Sequence, residues 1–269
     1  MPLTKGGPVQ AAQYQQWLRD TRRFWDVPTE SEARFDRVCS SLEIGATDDP
    51  EALEHIWQRQ TEDAVRQITD GIPVGADWRC VEIGCGVGRL MKAMAPRVAC
   101  VIGVDLSPRM LDFARDYLAD VPNVELHLND GRSLDMVRDA SIDFVYSHLA
   151  FQHITLYEVV DAYLADIARV LKPGGYCRIQ NWREGPIPAV ERAKNMARSL
   201  LGREILRSNR CWQWREGKCV RFGGVTFTPR QWRRRLRRFG LQAIRTQLGL
   251  GHEYWMWTTS RAKGAHRRA

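Results

Sequence analysis

Val81-Glu82-Ile83-Gly84-Cys85-Gly86-Val87-Gly88-Arg89-Leu90 is the stretch on which the fold of this chain turns. Two apolar residues flank an acid, as at the end of a buried strand, and three glycines follow at alternate positions. Leu90, Met91, Ala93 and Met94 then take up helical spacing. A strand that turns this sharply into a helix needs residues without Cβ, so that a ligand can touch the backbone. The helix N-terminus beyond the turn offers free N–H groups and a positive dipole to a polar or anionic ligand. Dinucleotide loops space their glycines G-x-G-x-x-G. Here the third glycine comes one residue early, and an acid stands two places before the first. That spacing points away from a pyrophosphate.

Downstream, apolar runs and helical stretches alternate. Val98 to Val104 is a nearly continuous apolar run ending in Asp105, as suits a strand buried on both faces of a parallel sheet. Asp105 lies 21 residues beyond Gly84, close to the separation at which an acid takes ribose hydroxyls. Its two oxygens can each accept from a vicinal diol. Ser107-Pro108 then reads as the start of a helix whose inner face is Met110, Leu111, Ala114 and Leu118. Val124 to Leu128 alternates like a strand and ends in Asn129-Asp130-Gly131, which is turn chemistry. Ile142 to Ser147 reads as a fourth strand running into His148-Leu149-Ala150-Phe151-Gln152-His153-Ile154. Thr155-Leu156-Tyr157-Glu158 has the pattern of a capping box, opening a helix that carries Val159, Tyr163, Ile167 and Val170 on one face. Leu171-Lys172-Pro173-Gly174-Gly175 stops it, and Tyr176 to Gln180 is the fifth strand.

Three strings carry a resemblance: V-E-I-G-C-G-V-G at 81–88, V-D-L-S-P-R-M-L at 104–111 and R-V-L-K-P-G-G-Y at 169–176. In this order, between Cys80 and Gln180, they closely resemble the motifs of the class I S-adenosylmethionine-dependent methyltransferases. The resemblance implies an α/β, Rossmann-like fold with a seven-stranded, mostly parallel sheet and helices on both faces. It places a methyltransferase domain at 77–260, preceded by an N-terminal helical cap over 1–76. A substrate-side insert after the fifth strand covers 181–227, and a basic tail covers 261–269. The implied cofactor is S-adenosylmethionine, held by Glu82, Gly84, Cys85, Gly86, Gly88 and Arg89 at the glycine turn. Asp105, Leu106 and Met110 follow on the ribose side, and Asp130, Gly131 and Arg132 at the adenine. Ser147 and His148 complete the set at the end of the fourth strand. A hydroxyl acceptor usually needs a base, and histidine titrates nearest neutral pH. His153 is the best match for that base, His148 the second catalytic candidate. Asn181, Trp182, His252 and Tyr254 are the expected substrate contacts. Seven scattered cysteines without a C-x-x-C pair suit a reducing compartment, and no metal site is expected.

The flanks are less patterned. Residues 1–12 read as a frayed arm, and Tyr14 to Trp25 as a short amphipathic helix. Asp48-Asp49-Pro50-Glu51 starts a second helix, with Leu53, Ile56, Trp57, Ala64 and Ile68 at helical intervals and Gly71 and Pro73 at its end. In the family resembled, such an extension often covers the pocket as a lid. Pro188–Leu206 has the composition of a basic helix, and Trp212, Trp214 and Phe222 stand among arginines. Thr228-Pro229 caps a helix with Trp232, Leu236 and Phe239 inward and Arg233, Arg234, Arg235, Arg237 and Arg238 mostly outward, ended by Gly240. Leu241–Leu248 and Glu253–Thr259 read as a closing antiparallel pair.

Charge is concentrated. Of a net +8, residues 181–238 hold 16 Lys and Arg against 4 Asp and Glu. One electropositive face follows. It motivates an RNA or protein methyltransferase as the alternative to an enzyme of small molecules such as a secondary metabolite or sugar. No N-P-P-Y signature of nucleic-acid amino-methyltransferases follows the fourth strand, and no RNA-binding module is recognisable. A small acceptor, methylated at a hydroxyl or amine, is therefore preferred. An anionic acceptor and a homodimer are both compatible with it. No run reaches the length of a membrane span and Met1–Gln16 has no apolar signal core, so a soluble cytoplasmic protein is expected.

Overall fold

The computed structural model describes residues 11–27, 29–31, 33, 49–182, 211–215, 218–222, 224–248 and 255–262, with backbone alone for 182, 211–215, 218–222 and 255–257. Two helices, α1 (Ala11–Trp25) and α2 (Pro50–Thr69), precede the first strand. Then β1 (Arg79–Ile83), α3 (Arg89–Met94), β2 (Cys100–Asp105), α4 (Pro108–Tyr117), β3 (Val124–Leu128) and β4 (Ile142–Ser147) follow. A 3-10 turn (Phe151–His153), α5 (Tyr157–Val170) and β5 (Leu171–Trp182) complete the parallel part. A hairpin of β6 (Cys211–Arg215) and β7 (Lys218–Phe222) forms a separate two-stranded sheet. Helix α6 (Pro229–Arg238), β8 (Leu241–Leu248) and β9 (Trp255–Ala262) close the fold.

The seven-stranded sheet has the order β3-β2-β1-β4-β5-β9-β8. Strands β1 to β5 pair in parallel, and β9 runs antiparallel to both β5 and β8. The order reverses between β1 and β2 on one side and β4 on the other, the crevice where α/β sheets bind ligands.

Alternation along the strands sorts the core into two layers. Val81, Ile102, Val104, Val145, Cys177 and Ile179 face α1, α5 and α6, packing with Tyr163, Ile167, Trp232 and Leu236. Cys80, Val101, Phe144 and Tyr146 face α2, α3 and α4, packing with Ile68, Met91, Met94 and Leu111. Both faces are covered, so the apolar strand runs are continuous rather than alternating.

The helix starts obey local chemistry. Asp49 accepts from the N–H groups of Glu51 and Ala52 at the head of α2. Ser107 Oγ accepts from Met110 N at 3.1 Å for α4. Thr228 and Gln231 cap α6 reciprocally. Such caps are each worth about 1 kcal/mol.

Three local expectations need correction. The capping box at Thr155 does not form: the N-cap is Leu156, with no side-chain cap. The carbonyls of Gln152 and Ile154 accept from Gly224 and Val225 N–H, which keeps this segment extended past Thr155 and puts Glu158 one place out of register. The fifth strand starts at Leu171, not Tyr176: Leu171 pairs with Ile142, then the register jumps to Tyr176 opposite Phe144, so Lys172 to Gly175 bulge within it. The last strand reaches Ala262, so Arg261 belongs to the sheet. Its Nε donates to Gly174 O at 2.9 Å, and its guanidinium lies 4.9 Å from the Tyr176 ring centroid. The basic stretch Pro188–Leu206 lies outside the described residues.

Candidate functional site

At the carboxyl ends of the strands the chain encloses a cavity of about 900 Å³, its open mouth included. The glycine turn forms one wall. Gly84 has φ of +74°, and a Cβ there would stand 2.3 Å from the Ala150 methyl. No other residue fits between this turn and the loop after β4. Gly88, at the head of α3, is required for a different reason: a Cβ would meet Leu118 Cδ1 at 2.6 Å. It serves helix packing and does not line the cavity.

Two carboxylates stand behind the turn. Asp105 ends β2; its Oδ2 accepts from Gly86 N and its Oδ1 from Ser107 N, both at 2.9 Å. Burial raises its carboxyl above the usual range, opposed by the N–H groups of Ser107, Gly86 and Leu106. A carboxylate has about four lone-pair positions, so these N–H groups do not use all of its acceptor capacity. Glu82 is buried in β1 and accepts from Tyr146 Oη at 3.1 Å. Burial pushes it up to about 8 against the pull of that hydroxyl and of Arg89. Arg89 is itself buried, with Nη1 3.4 Å from Thr61 Oγ1 and its guanidinium 5.4 Å from the Trp57 ring centroid. Helix α2 thus holds one side of the cavity through Arg89.

Helix α1 covers another side. Trp17, Thr21 and Trp25 recur at i, i+4 and i+8 and all line the cavity. The helix is tied to the ends of β2 and β3. Arg22 Nε donates to Leu106 O at 2.9 Å, Tyr14 Oη donates to Asp130 O, and the Trp17 ring lies against Gly131. Just beyond it, Ser107 Oγ donates to Asp26 at 2.5 Å. That stripe is the signal the sequence carries for these cavity residues, and amphipathicity alone does not say whether the apolar face meets a ligand or the sheet.

The loop after β4 supplies His148, Leu149, Ala150, His153 and Ile154. Burial, with the Arg89 charge adding to it, pushes His148 down to about 3, and burial alone does the same to His153. Both imidazoles are neutral at neutral pH. The His153 ring meets Trp25 edge-on at 5.2 Å, and its Nε2 lies 3.1 Å from Gln152 Nε2.

The structure therefore brings together Glu82, Gly84, Cys85, Gly86, Arg89, Asp105, Leu106, Met110, Gly131, His148 and His153 around one cavity. Others of the expected set sit beside it. Asp130 spends its carboxylate on its own turn, accepting from Arg132 N at 3.0 Å and Ser133 N at 2.9 Å. Burial opposes its ionisation, but these hydrogen bonds outweigh it and hold the carboxyl below the usual range. The Arg132 guanidinium stacks 4.2 Å from the Tyr14 ring centroid. Ser147 Oγ donates to Ile83 O at 2.8 Å, tying β4 to β1. Asn181 is buried at the end of β5, off the cavity wall, and neither amide atom has a hydrogen-bond partner among the described residues. The side chain of Trp182, and His252 and Tyr254, lie outside the described residues. Tyr163, which the sequence marks only as core, lines the cavity and meets Asn129 Nδ2 at 2.9 Å. Among the described residues no group of three or more metal-ligating side chains occurs.

These features suit S-adenosylmethionine. A Cβ-free turn admits the ligand to the backbone, a half-buried carboxylate retains acceptor capacity for a diol, and a second acid stands ready for a cationic group. Comparison with known proteins agrees. Residues 81–179 match the family model described as a methyltransferase domain. A demethylmenaquinone methyltransferase of Tropheryma whipplei is 32% identical over 106 residues, 39% of this chain and 41% of that protein. A malonyl-[acyl-carrier protein] O-methyltransferase of a Marinomonas species is 26% identical over 162 residues, 60% of this chain and 54% of that protein. The chain spans between 24% and 41% of the length of the first curated relatives it matches. In fold it is similar to geranyl diphosphate C-methyltransferase from Streptomyces coelicolor A3(2), with a TM-score of 0.59 at 14% identity, covering 96% of this chain and 100% of that one.

Proposed function

We propose that this chain, whose residues 81–179 match a methyltransferase domain, is a class I S-adenosylmethionine-dependent enzyme that transfers a methyl group to a small-molecule acceptor. The observation that carries this reading is the lining of the cavity. Trp17, Trp25, Leu149, His153 and Ile154 line it with apolar and aromatic surface, as suits a small molecule better than an open cationic groove. When bound, the cofactor supplies a methyl group on a sulfonium, already a good leaving group. The protein's part is then to orient the acceptor and exclude water.

In this reading Asp105 takes the ribose hydroxyls and the Gly84–Gly86 turn lies against the ligand. Glu82 faces its ammonium, and α1 acts as the lid. His153 is the acceptor contact. Burial makes it a weak base, and each unit of lowered pKa adds about 1.4 kcal/mol to a proton transfer onto it. Its ring is therefore better suited to accepting a hydrogen bond from the acceptor's hydroxyl or amine than to removing a proton outright. Domain limits at 76 and 181 belong to the same reading, with the C-terminal limit moved to 262 at the end of β9.

The test is an acceptor screen with methyl-labelled S-adenosylmethionine, in which demethylmenaquinol, malonyl-carrier protein, amino sugars and total RNA compete. Label in a small quinol, acyl or sugar acceptor is the expected outcome. Label confined to RNA, or to protein side chains rather than the malonyl group of the carrier protein, would overturn it in favour of the arginine-rich surface of α6, where Arg230, Arg233, Arg234, Arg237 and Arg238 are exposed.

A further inference from the structure

Gln180 carries no role in the reading above, yet it holds the backbone that lines the cavity. It is buried in β5, and its Oε1 accepts from Leu149 N at 3.0 Å across the end of β4. Leu149 has φ of +63°. Among the described residues the other non-glycine residue with positive φ is Ala140, on an exposed turn before β4. A left-handed backbone brings the Cβ of an L-residue too close to the following carbonyl oxygen, so it persists only where the surroundings over-determine it.

What that conformation accomplishes is visible on either side. The chain leaves β4 at Ser147, reverses at Leu149 and presents His148, Leu149 and Ala150 to the cavity in succession. The reversal presses the Ala150 methyl onto Gly84 so closely that no Cβ fits there. The 3-10 turn that follows carries His153. A turn relaxed to negative φ would carry Ala150 off Gly84 and re-aim both histidines. The strand neighbours do not prevent this, because the pairing of β4 with β5 ends at Ser147 opposite Ile179.

We infer that Gln180 is a positioning residue: its side-chain carbonyl clamps the Leu149 N–H, holds the strained turn, and so sets the distance between the glycine turn and the loop that faces the acceptor. The inference takes the identity of the ligand from the methyltransferase reading, but not the geometry.

Two variants of similar size separate the clamp from simple packing: Gln180→Met removes the acceptor oxygen, and Gln180→Glu keeps one. The first readout is amide hydrogen exchange of the ligand-free protein. The second is calorimetric affinity for S-adenosylhomocysteine. In Gln180→Met the Leu149 amide should exchange faster while β1 and α5 keep their protection. Affinity should fall by about tenfold, the scale of one lost hydrogen bond to a buried N–H. Gln180→Glu should recover both. Unchanged exchange at Leu149, acceleration spread equally over β1 and α5, or a Glu variant that behaves like Met would each overturn the clamp. If the unaltered protein does not bind S-adenosylhomocysteine, the cofactor assignment falls instead, and the exchange readout still decides the role of Gln180.

Discussion

Glu82, Gly84, Gly86 and Arg89 reach the cavity from one stretch of eight residues, whereas Trp25 and His153 meet there from positions more than a hundred residues apart. The first group belongs to the end proposed to hold the methyl donor, the second to the end proposed to hold the acceptor. At the donor end the ligand meets mainly backbone, the buried Glu82 and the half-buried Asp105. The chain path from β1 into α3 fixes all of it but Asp105, which the adjacent strand β2 brings alongside. At the acceptor end it meets side chains whose positions depend on how α1 docks over the sheet and how the loop after β4 is braced. One region is therefore intolerant of change at single positions. The other can alter its residues while keeping the same donor, which is how one fold serves many acceptors.

The contrast breaks most sharply at Gly84. In Gly84→Ala the added methyl would lie 2.3 Å from Ala150 Cβ, on a backbone with φ of +74°, and no flexible side chain can move aside. S-adenosylhomocysteine affinity should fall at least about a hundredfold in calorimetry, since clash and backbone strain together exceed roughly 3 kcal/mol. An affinity within tenfold of the parent would show that the turn is not the ligand cradle.

Asp105→Ala comes next. Losing two charge-assisted hydrogen bonds to a diol costs roughly 2–4 kcal/mol. Because Asp105 also holds Gly86 N and Ser107 N, Asp105→Asn separates the two contributions: it keeps acceptor capacity on one oxygen and should retain more affinity. Equal affinity in the parent and both variants would remove Asp105 from the site.

A smaller effect is expected from pH. Glu82 is held up at about 8 by burial, so in the ligand-free protein it is mostly protonated at neutral pH. A raised carboxyl contributes stability that is fully present below its ordinary value of 4.5 and lost as pH climbs through about 8. A cationic ligand favours the ionised form, so affinity for S-adenosylhomocysteine should rise between pH 6 and 8 and binding should release a proton. Glu82→Gln should flatten both the affinity and the melting temperature over that range. A parent protein with no pH dependence would place the ammonium elsewhere.

The smallest change in donor affinity belongs to the acceptor end. His153→Ala should leave S-adenosylhomocysteine binding within about threefold while lowering methyl transfer to an accepted substrate by about tenfold, one hydrogen bond's worth. His153→Gln, which can still accept a hydrogen bond, should keep most of the rate. A loss of about 10²–10⁴ that recovers as pH rises would instead mark His153 as a general base. A large loss of donor affinity would erase the distinction between the two ends.

How far the sequence reached differs along the same line. The alternating strands and helices were legible because they rest on local signals: apolar runs of strand length, glycines at a turn and acids at strand ends. The seven-stranded sheet and the cofactor class followed from the resemblance that the motif strings carry. Ser107 and Asp49 cap their helices as read, and Trp232 and Leu236 turn inward as their spacing implies. Where a local signal competed with a longer-range contact, it lost. Thr155 does not cap α5 because Gln152 and Ile154 are drawn into pairing with Gly224 and Val225. Asp130 is a different case: the acid stands at the expected place, and it is a local competitor, the N–H groups of its own turn, that takes up its carboxylate.

By itself, then, the sequence determined the order of elements, the glycine cradle and the two carboxylates behind it, because each depends on neighbours a few residues away. Only the tertiary structure decided that Trp17, Thr21 and Trp25 face the cavity, and that two half-buried histidines line it as neutral imidazoles. It alone showed that Gln180 braces Leu149 in a conformation leucine does not choose. Those outcomes are set by burial and by contacts between distant segments, and neither is written in the spacing of residues along the chain.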